Sequence, residues 1–226
     1  MIPLVNLKKQ YLSIKNEIDN AINDVIDETA FISGKYAKLF EEEFSKKVGV
    51  RNCISTANGT DSLYIIMKSL GIGQGDEVIT VANSWISSSE TISQTGAKPV
   101  FVDIESDFFS IDSNKIEEKI NKKTRALIIV HLHGQSCNMS EICQIAKKYN
   151  ILIIEDCAQA HLTKFKNSFV GTFGIAGSFS FYPGKNLGAF GDAGCIITND
   201  DNFAKKCRMF ANHGSLVKHN HIIEGI

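Results

Sequence analysis

Lys185 lies where a lysine can act as a nucleophile, directly after a Pro-Gly turn that follows alternating serines and phenylalanines. The alternation over residues 178–181 predicts a strand with one buried face and one face that carries hydroxyl groups. An amine must lose its proton before it can attack a carbonyl carbon, and partial burial favours the neutral amine. A lone lysine in a glycine loop is most often solvated, so the prediction depends on its neighbours.

Two acidic residues, Glu155 and Asp156, follow the apolar run at residues 151–154, which predicts a buried strand. Open α/β sheets bind ligands at the carboxyl ends of such strands. A carboxylate there can keep a pyridine nitrogen protonated, as an electron-sink cofactor requires. A solvated strand end or a helix cap explains the pair equally well, and the spacing does not distinguish the two residues. Gln159 lies three residues on and faces the same site if a helical turn follows.

The segment Asn58-Gly59-Thr60-Asp61 follows a predicted strand and opens a predicted helix. Free N–H groups and the dipole at a helix N-terminus favour a phosphate group. Gly59 allows close approach of the backbone, and Thr60 adds a hydroxyl donor. An ordinary turn with an Asn or Thr cap has the same sequence pattern.

Trp85 is the only tryptophan, and it closely follows the predicted strand at residues 78–81. Core packing and stacking on a flat cofactor ring are equally consistent with this position. His131 and His133 form an HxH pair that can bind zinc, but no third ligand has suitable spacing. We therefore predict no metal site.

Short apolar runs alternate with helical segments beyond residue 52. This pattern predicts an α/β fold with a mainly parallel, mixed seven-stranded sheet and helices on both faces. The last three strands lack long connecting helices, so we expect an antiparallel strand among the parallel ones. The predicted strands are residues 53–56, 78–81, 100–102, 126–130, 151–154, 178–181 and 195–198. The predicted helices are residues 60–70, 84–95, 115–120, 140–149 and 202–212.

The first 48 residues are predicted to be helical, with a break at Ser33-Gly34. Isoleucines at four-residue spacing form one apolar stripe, and a second stripe follows the break. The first stripe consists of Ile14, Ile18, Ile22 and Ile26. The second consists of Tyr36, Phe40, Phe44 and Val48.

The composition favours a folded chain and argues against several classes of protein. Hydrophobic residues make up 43% of the 226 residues and the formal net charge is −1, which argues against disorder and against nucleic-acid binding. No apolar run approaches the ~20 residues that a bilayer span requires, and residues 1–10 lack the apolar core of a signal peptide. The six cysteines form no CxxC pair. We therefore expect them to be small buried hydrophobic residues of a protein in a reducing cytoplasm.

Taken together, these segments resemble the DegT/StrS family of nucleotide-sugar aminotransferases, which are fold type I enzymes that use pyridoxal 5'-phosphate (PLP). The matching stretches follow the family order over nearly the whole chain. They include Asn-Gly-Thr-Asp-Ser-Leu at 58–63, Glu-Asp-Cys-Ala-Gln-Ala-His at 155–161 and Tyr-Pro-Gly-Lys-Asn-Leu-Gly at 182–188. Further matches are residues 5–7, 10–11, 31–34, 75–79, 96–103, 130–135 and 212–214.

The resemblance implies roles for seven residues. Lys185 corresponds to the lysine that binds PLP covalently, and Asp156 to the partner of the pyridine nitrogen. Gln159 corresponds to the residue beside the phenolic oxygen, and Trp85 to the aromatic residue that stacks on the ring. The phosphate-binding positions are Gly59, Thr60 and Ser180.

Two stretches depart from the family pattern. Leu162 follows His161 where a small residue is usual, and Ser-Trp-Ile-Ser-Ser at residues 84–88 stands where Thr-Phe-x-Ala-Thr is common. Both departures can reshape the substrate pocket without touching the cofactor.

Family members continue well past this point into a small C-terminal domain, so the resemblance implies that this domain is missing here. Residues 1–226 would then comprise the N-terminal helices and the PLP-binding large domain. The missing part supplies an asparagine that reaches the neighbouring subunit's cofactor phosphate, so a homodimer is expected for the full-length form. We expect residues 1–226 alone to bind PLP weakly, to turn over poorly and to associate.

The implied activity is transfer of an amino group, with glutamate as the expected donor, to a nucleotide-linked keto-deoxy-sugar. The run from Lys185 to Asp192 resembles members that act at C3 of a dTDP-linked 3-keto-6-deoxyhexose. A family dehydratase has histidine in place of the lysine, and Lys185 argues against it. Two alternatives are another fold type I enzyme, such as a desulfurase or lyase, and an inactive paralogue that serves as a binding or oligomerisation module.

Overall fold

The N-terminal region forms three helices. The computed structural model describes residues 4–217 and 219–226. The helices are α1 (Leu7–Ser13), α2 (Lys15–Asp27) and α3 (Lys35–Val48). Ile14, the first residue of the first apolar stripe, lies between α1 and α2, and its φ of −127° and ψ of 20° depart from helical geometry. Ile22 and Ile26 of that stripe remain 45% and 52% exposed, whereas Phe44 and Val48 of the second stripe are buried.

Seven of the strands form one mixed sheet, in the order β1-β9-β8-β5-β4-β2-β3. The strands from β8 to β3 in that order are parallel to their neighbours, and β9 is antiparallel to both β8 and β1. The mainly parallel sheet with one antiparallel strand is thus confirmed. Its strands are β1 (Asn52–Thr56), β2 (Glu77–Val81), β3 (Lys98–Val102), β4 (Thr124–Val130), β5 (Leu152–Asp156), β8 (Ala176–Ser180) and β9 (Gly194–Thr198). Two short hairpins pair β6 (Lys164–Phe165) with β7 (Ser168–Phe169) and β10 (Ser215–Val217) with β11 (Asn220–His221).

Helices cover both faces of the sheet, as the sequence predicts. Neighbouring residues of β9 show this arrangement, because successive strand residues face opposite sides. Ile196 packs in one buried cluster with Leu63, whereas Ile197 packs in a second cluster with Phe44 of α3. The remaining helices are α4 (Gly59–Ser69), α5 (Ser87–Gln94), α6 (Ser113–Ile116), α7 (Met139–Tyr149) and α8 (Asp201–Phe210).

Three predicted elements differ from the structure. The helix expected at residues 115–120 is a four-residue helix, α6, followed by a 3-10 turn at Glu117–Lys119. Only Ile116 is buried in that segment, so it lacks the apolar face that a longer helix needs. The helix expected from residue 84 begins at Ser87, which leaves Trp85 outside it.

The third difference concerns β8, whose hydroxyl-bearing face is buried as well as its apolar face. Ser178 and Ser180 are 0% and 8% exposed, and Phe179 between them is 1% exposed. The start of α4 lies against this face, and the Ser178 hydroxyl donates to the Gly59 carbonyl at 3.1 Å. Ser178 therefore faces a packed helix rather than solvent.

The cysteines behave as expected, since all six are free thiols and all but Cys143 are buried. Among the helices of the described residues, none combines the length and the apolar character that a membrane span requires.

Candidate active site

A cavity of about 640 Å³ lies at the carboxyl ends of the parallel strands, where α/β sheets place their ligands. Its walls come from the start of α4 and from the segments that follow β2, β4, β5 and β8. The structure brings all seven residues named by the resemblance to this one cavity. They are Gly59, Thr60, Trp85, Asp156, Gln159, Ser180 and Lys185.

Lys185 lies at the end of a tight turn after β8. The Lys185 N–H donates to the Tyr182 carbonyl at 2.8 Å, which places Pro183 and Gly184 at the two central positions of the turn. A Cβ on Gly188 would lie 2.2 Å from the Pro183 carbonyl oxygen, so a glycine is needed where the loop folds back. The side chain is half-buried, and burial lowers the pKa of Lys185 while the charge of Asp156 opposes that shift.

Asp156 is the last residue of β5, within the strand rather than after it. Its Oδ1 accepts the Ala158 N–H at 3.1 Å and its Oδ2 accepts the Ser88 hydroxyl at 2.8 Å. Burial raises the pKa of Asp156, and these two donors together with Lys185 partly offset the rise by favouring the charged carboxylate. The carboxylate is thus held in a fixed orientation on the cavity wall.

Glu155 lies on the opposite side of β5 and does not line the cavity. Its two oxygens accept backbone N–H groups within the segment that leads to β8, and Oε2 also lies 3.1 Å from His131 Nε2. These donors are Gly171 at 2.7 Å, Phe173 at 2.7 Å and Gly174 at 2.8 Å. The role of Glu155 in this structure is to anchor that segment.

We expect Glu155→Gln to destabilise the fold. The amide would place an N–H₂ group against backbone N–H donors in a fully buried site, at a cost of about 3 kcal/mol. At roughly 2–4 °C per kcal/mol for a domain of this size, Tm should fall by about 6–12 °C in thermal denaturation followed by circular dichroism. Glu118→Gln, at an exposed glutamate, is the control and should melt within error of the wild type. Equal melting of both variants would contradict the anchoring role.

A cradle of backbone N–H and hydroxyl groups is formed at the N-terminus of α4, which we call the phosphate cradle. Asn58 caps the helix by accepting the Asp61 N–H at 2.8 Å, which leaves the N–H groups of Gly59 and Thr60 free of the cap. A Cβ on Gly59 would lie 2.8 Å from the Ser180 Cβ, so only glycine lets the helix start this close to β8. The hydroxyls of Thr60 and Ser180 line the same end of the cavity.

Gln159 has a defined amide orientation. Its Oε1 accepts the His133 backbone N–H at 3.0 Å, and His133 adopts a positive φ of 56°. Because the oxygen is occupied, the amide N–H₂ group remains available as a donor on the cavity wall.

Trp85 is 73% exposed and lines the cavity. The core-packing interpretation is therefore excluded by its position. Its ring forms part of the wall on the side that follows β2.

Three buried residues of the types that bind metal ions lie close together. Atoms of His131, Glu155 and Cys157 lie within 4.8 Å of one another, whereas His133 is not part of this group. The Glu155 oxygens are engaged by backbone donors, and burial raises the pKa of the Cys157 thiol well above its usual value. Hydrogen bonds within the protein thus engage His131 and Glu155 of this cluster.

Sequence reasoning missed the two serines that open α5 as site residues. Ser88 contacts Asp156, and the Ser87 Oγ lies 2.7 Å from the Thr60 Oγ1. The run of serines after β2 was visible in the sequence, but its contacts are long-range and depend on how α5 docks against α4.

The residues of this cavity fit PLP. A set of neutral donors at a helix N-terminus suits a phosphate group, the buried Asp156 suits a protonated pyridine nitrogen, and the half-buried Lys185 amine suits covalent attachment to an aldehyde. The fold and this donor set define the large domain of a fold type I PLP enzyme.

The chain belongs to the DegT/DnrJ/EryC1/StrS aminotransferase family, which matches residues 12–225. It is 45% identical over 226 residues to dTDP-3-amino-3,6-dideoxy-alpha-D-galactopyranose transaminase from Aneurinibacillus thermoaerophilus, covering 100% of this chain and 62% of that protein. It therefore spans less than two thirds of the length of this relative.

Two solved structures extend the comparison. The chain superimposes on DesV from S. venezuelae with a TM-score of 0.96 and 37% identity, covering 99% of this chain and 60% of that one. It superimposes on the Bacillus subtilis protein NtdA, solved with bound cofactor PMP, with a TM-score of 0.94 and 34% identity, covering 100% and 52%. The similarity thus extends over the whole of this chain and little more than half of each structure.

Proposed function

We propose that this protein is a PLP-dependent aminotransferase that moves an amino group from glutamate to a nucleotide-linked keto-deoxy-sugar. The observation that carries the proposal is the placement of Lys185, Asp156 and the α4 phosphate cradle on the walls of one cavity. We further propose that the domain described here, residues 1–226, is the cofactor-binding unit of that enzyme.

Each end of the cofactor has its own protein partners in this proposal. Gly59, Thr60 and Ser180 bind the phosphate group, with the dipole of α4 directed at the negative charge. Asp156 keeps the pyridine nitrogen protonated, and Gln159 donates its amide N–H to the phenolic oxygen. The exposed ring of Trp85 stacks on the cofactor ring. When bound, PLP supplies an electron sink for the carbanion that forms at the substrate carbon.

With PLP bound, Lys185 would hold it covalently until the amino donor takes the place of the lysine. The freed amine would then remove the proton from the substrate Cα as a base and deliver it again as an acid. The lowered pKa of Lys185 favours the neutral amine that this step requires. The keto-sugar receives nitrogen when the same residues perform these steps in reverse.

We expect the sugar acceptor to be a dTDP-linked 3-keto-6-deoxyhexose, aminated at C3. The amino sugar in the name of the Aneurinibacillus relative carries its nitrogen at C3 of a 6-deoxy ring, and DesV shares the fold of this chain. A panel of dTDP- and UDP-linked keto-sugars with glutamate, followed by mass spectrometry of the products, measures this preference. Turnover of amino-acid pairs alone, with every keto-sugar refused, would make the protein an ordinary aminotransferase.

An absorbance spectrum distinguishes the enzyme from an inactive paralogue. The protein incubated with PLP and then desalted should retain visible absorbance from cofactor held at Lys185. A protein that stays colourless under these conditions would support the binding or oligomerisation module instead.

We also propose that the whole enzyme is a homodimer in the cytoplasm. Apolar side chains of the N-terminal region are exposed, including Ile26 at 52%, Phe31 at 64% and Ile32 at 91%, and patches of this kind mark interaction sites. The six free thiols suit a reducing compartment. Size-exclusion chromatography with light scattering should give twice the monomer mass or a larger associated species. A monodisperse monomer with full transaminase activity would contradict the proposed homodimer.

A further inference from the structure

The hydroxyl of Ser87 forms a hydrogen bond with a residue of the phosphate cradle. Its Oγ lies 2.7 Å from the Thr60 Oγ1, and it also lies 3.3 Å from Glu90 Oε1 on the next turn of α5. Ser87 is only 7% exposed and lines the cavity. Its carbonyl accepts the Thr91 hydroxyl at 2.7 Å, which fixes the backbone at this position.

The number of hydroxyl protons restricts how these groups can be arranged. Thr60 and Ser87 each have one proton to donate. Without a ligand, Thr60 can donate to Ser87 while Ser87 donates to Glu90. A phosphate group with little remaining protonation accepts but does not donate, so Thr60 must turn its proton toward the phosphate. The bond between the two hydroxyls then has one possible direction, with Ser87 as donor and Thr60 as acceptor.

We propose that Ser87 is a positioning residue that orients Thr60 as a phosphate donor, an inference that rests on the proposed use of PLP. By donating to Thr60, Ser87 removes the competing arrangement in which the Thr60 proton points away from the ligand. It also increases the polarity of the Thr60 hydroxyl, because hydrogen bonds in a chain reinforce one another. Glu90 then no longer accepts a hydrogen bond from Ser87, and its side chain remains half-buried near solvent.

Ser88, the next residue, connects the start of α5 to the opposite end of the same site. Ser88 donates to Asp156 at 2.8 Å while Ser87 contacts Thr60. Two consecutive hydroxyls therefore contact the phosphate end and the pyridine end of the proposed cofactor position. The two contacts are separate, so they can be tested independently.

The test is a fluorescence titration that uses Trp85, the only tryptophan and a residue of the cavity wall. Both PLP and pyridoxal are titrated into the wild type and into Ser87→Ala. Both ligands carry the aldehyde that reacts with Lys185, so the difference between them isolates the phosphate. Ser87→Ala should weaken PLP binding about 5-fold, the change expected for one neutral hydrogen bond, and leave pyridoxal binding unchanged.

Two further variants complete the design. Ser93→Ala removes an exposed hydroxyl of the same helix and should change neither affinity. Thr60→Val removes the group that Ser87 is proposed to orient, so adding Ser87→Ala to it should have no further effect on PLP affinity. Thermal denaturation of each variant checks that the fold is retained.

The outcomes separate this inference from the proposed function. If Ser87→Ala weakens PLP and pyridoxal equally, or weakens PLP additively with Thr60→Val, Ser87 does not act through Thr60 on the phosphate. If the wild type binds PLP no better than pyridoxal, the phosphate cradle itself is wrong, and both proposals fail.

Discussion

Sodium borohydride should fix PLP irreversibly to the peptide that contains Lys185, and Lys185→Arg should abolish transamination. Lys185 is a half-buried amine on the cavity wall whose pKa is lowered by burial. Among the described residues, no side chain or carbonyl forms a hydrogen bond with its amine. The nitrogen is therefore free to react. Arginine keeps a positive charge at the same place, but its guanidinium stays protonated and cannot act as a nucleophile.

Peptide mapping after reduction measures the site of attachment, and single-turnover assays measure the activity. Lys185→Ala should keep at most a non-covalent cofactor that dialysis removes. Lys122→Ala is the control, because Lys122 is exposed and far from Lys185 in the sequence. PLP should be attached to Lys185 in this variant as it is in the wild type. Recovery of the label mainly on another lysine would overturn the assignment.

Asp156→Asn should lose about 10²–10³-fold in transamination rate, which corresponds to about 3–4 kcal/mol of lost charge stabilisation. The amide can still form one hydrogen bond with Ala158 or with Ser88. It carries no charge, however, so it does not favour the protonated pyridine ring that draws electrons from the substrate carbon. The loss should appear mainly in kcat, because the phosphate cradle at α4 remains intact.

Glu155→Gln is the comparison that separates the two carboxylates. Its defect should appear as reduced stability, because Glu155 anchors the segment before β8 and lies outside the cavity. Rates are therefore compared well below the Tm of both variants. If the folded Glu155→Gln protein were as slow as Asp156→Asn, the charged partner of the ring would be misassigned.

Much of the architecture could be predicted from the sequence, because the hydrophobic pattern of each strand is a local property. The runs that become β4 and β9 are apolar enough to be buried on both faces, and the helical segments between the earlier runs require parallel crossovers. The helix at residues 115–120 was one exception. Its single buried residue, Ile116, is too little apolar surface to extend the helix.

The sequence by itself determined which kinds of side chain meet at the carboxyl edge of the sheet. The strand ends carry Glu155 and Asp156, the start of α4 carries Gly59 and Thr60, and the loop after β8 carries Lys185. These placements follow from the order of elements, since parallel strands with right-handed crossovers bring their carboxyl ends to one edge.

The tertiary structure supplied the physical reason for choosing between neighbouring residues. The spacing left Glu155 and Asp156 equivalent, and the family resemblance favoured Asp156. The two belong to one strand, and successive strand residues face opposite sides of the sheet. The register of β5 directs Asp156 into the cavity and Glu155 toward the backbone donors before β8. In the same way, the docking of α5 against α4 brings Ser87 to Thr60, a contact between residues 27 positions apart. Such contacts depend on packing between segments that are distant in the sequence, and no local sequence pattern predicts that packing.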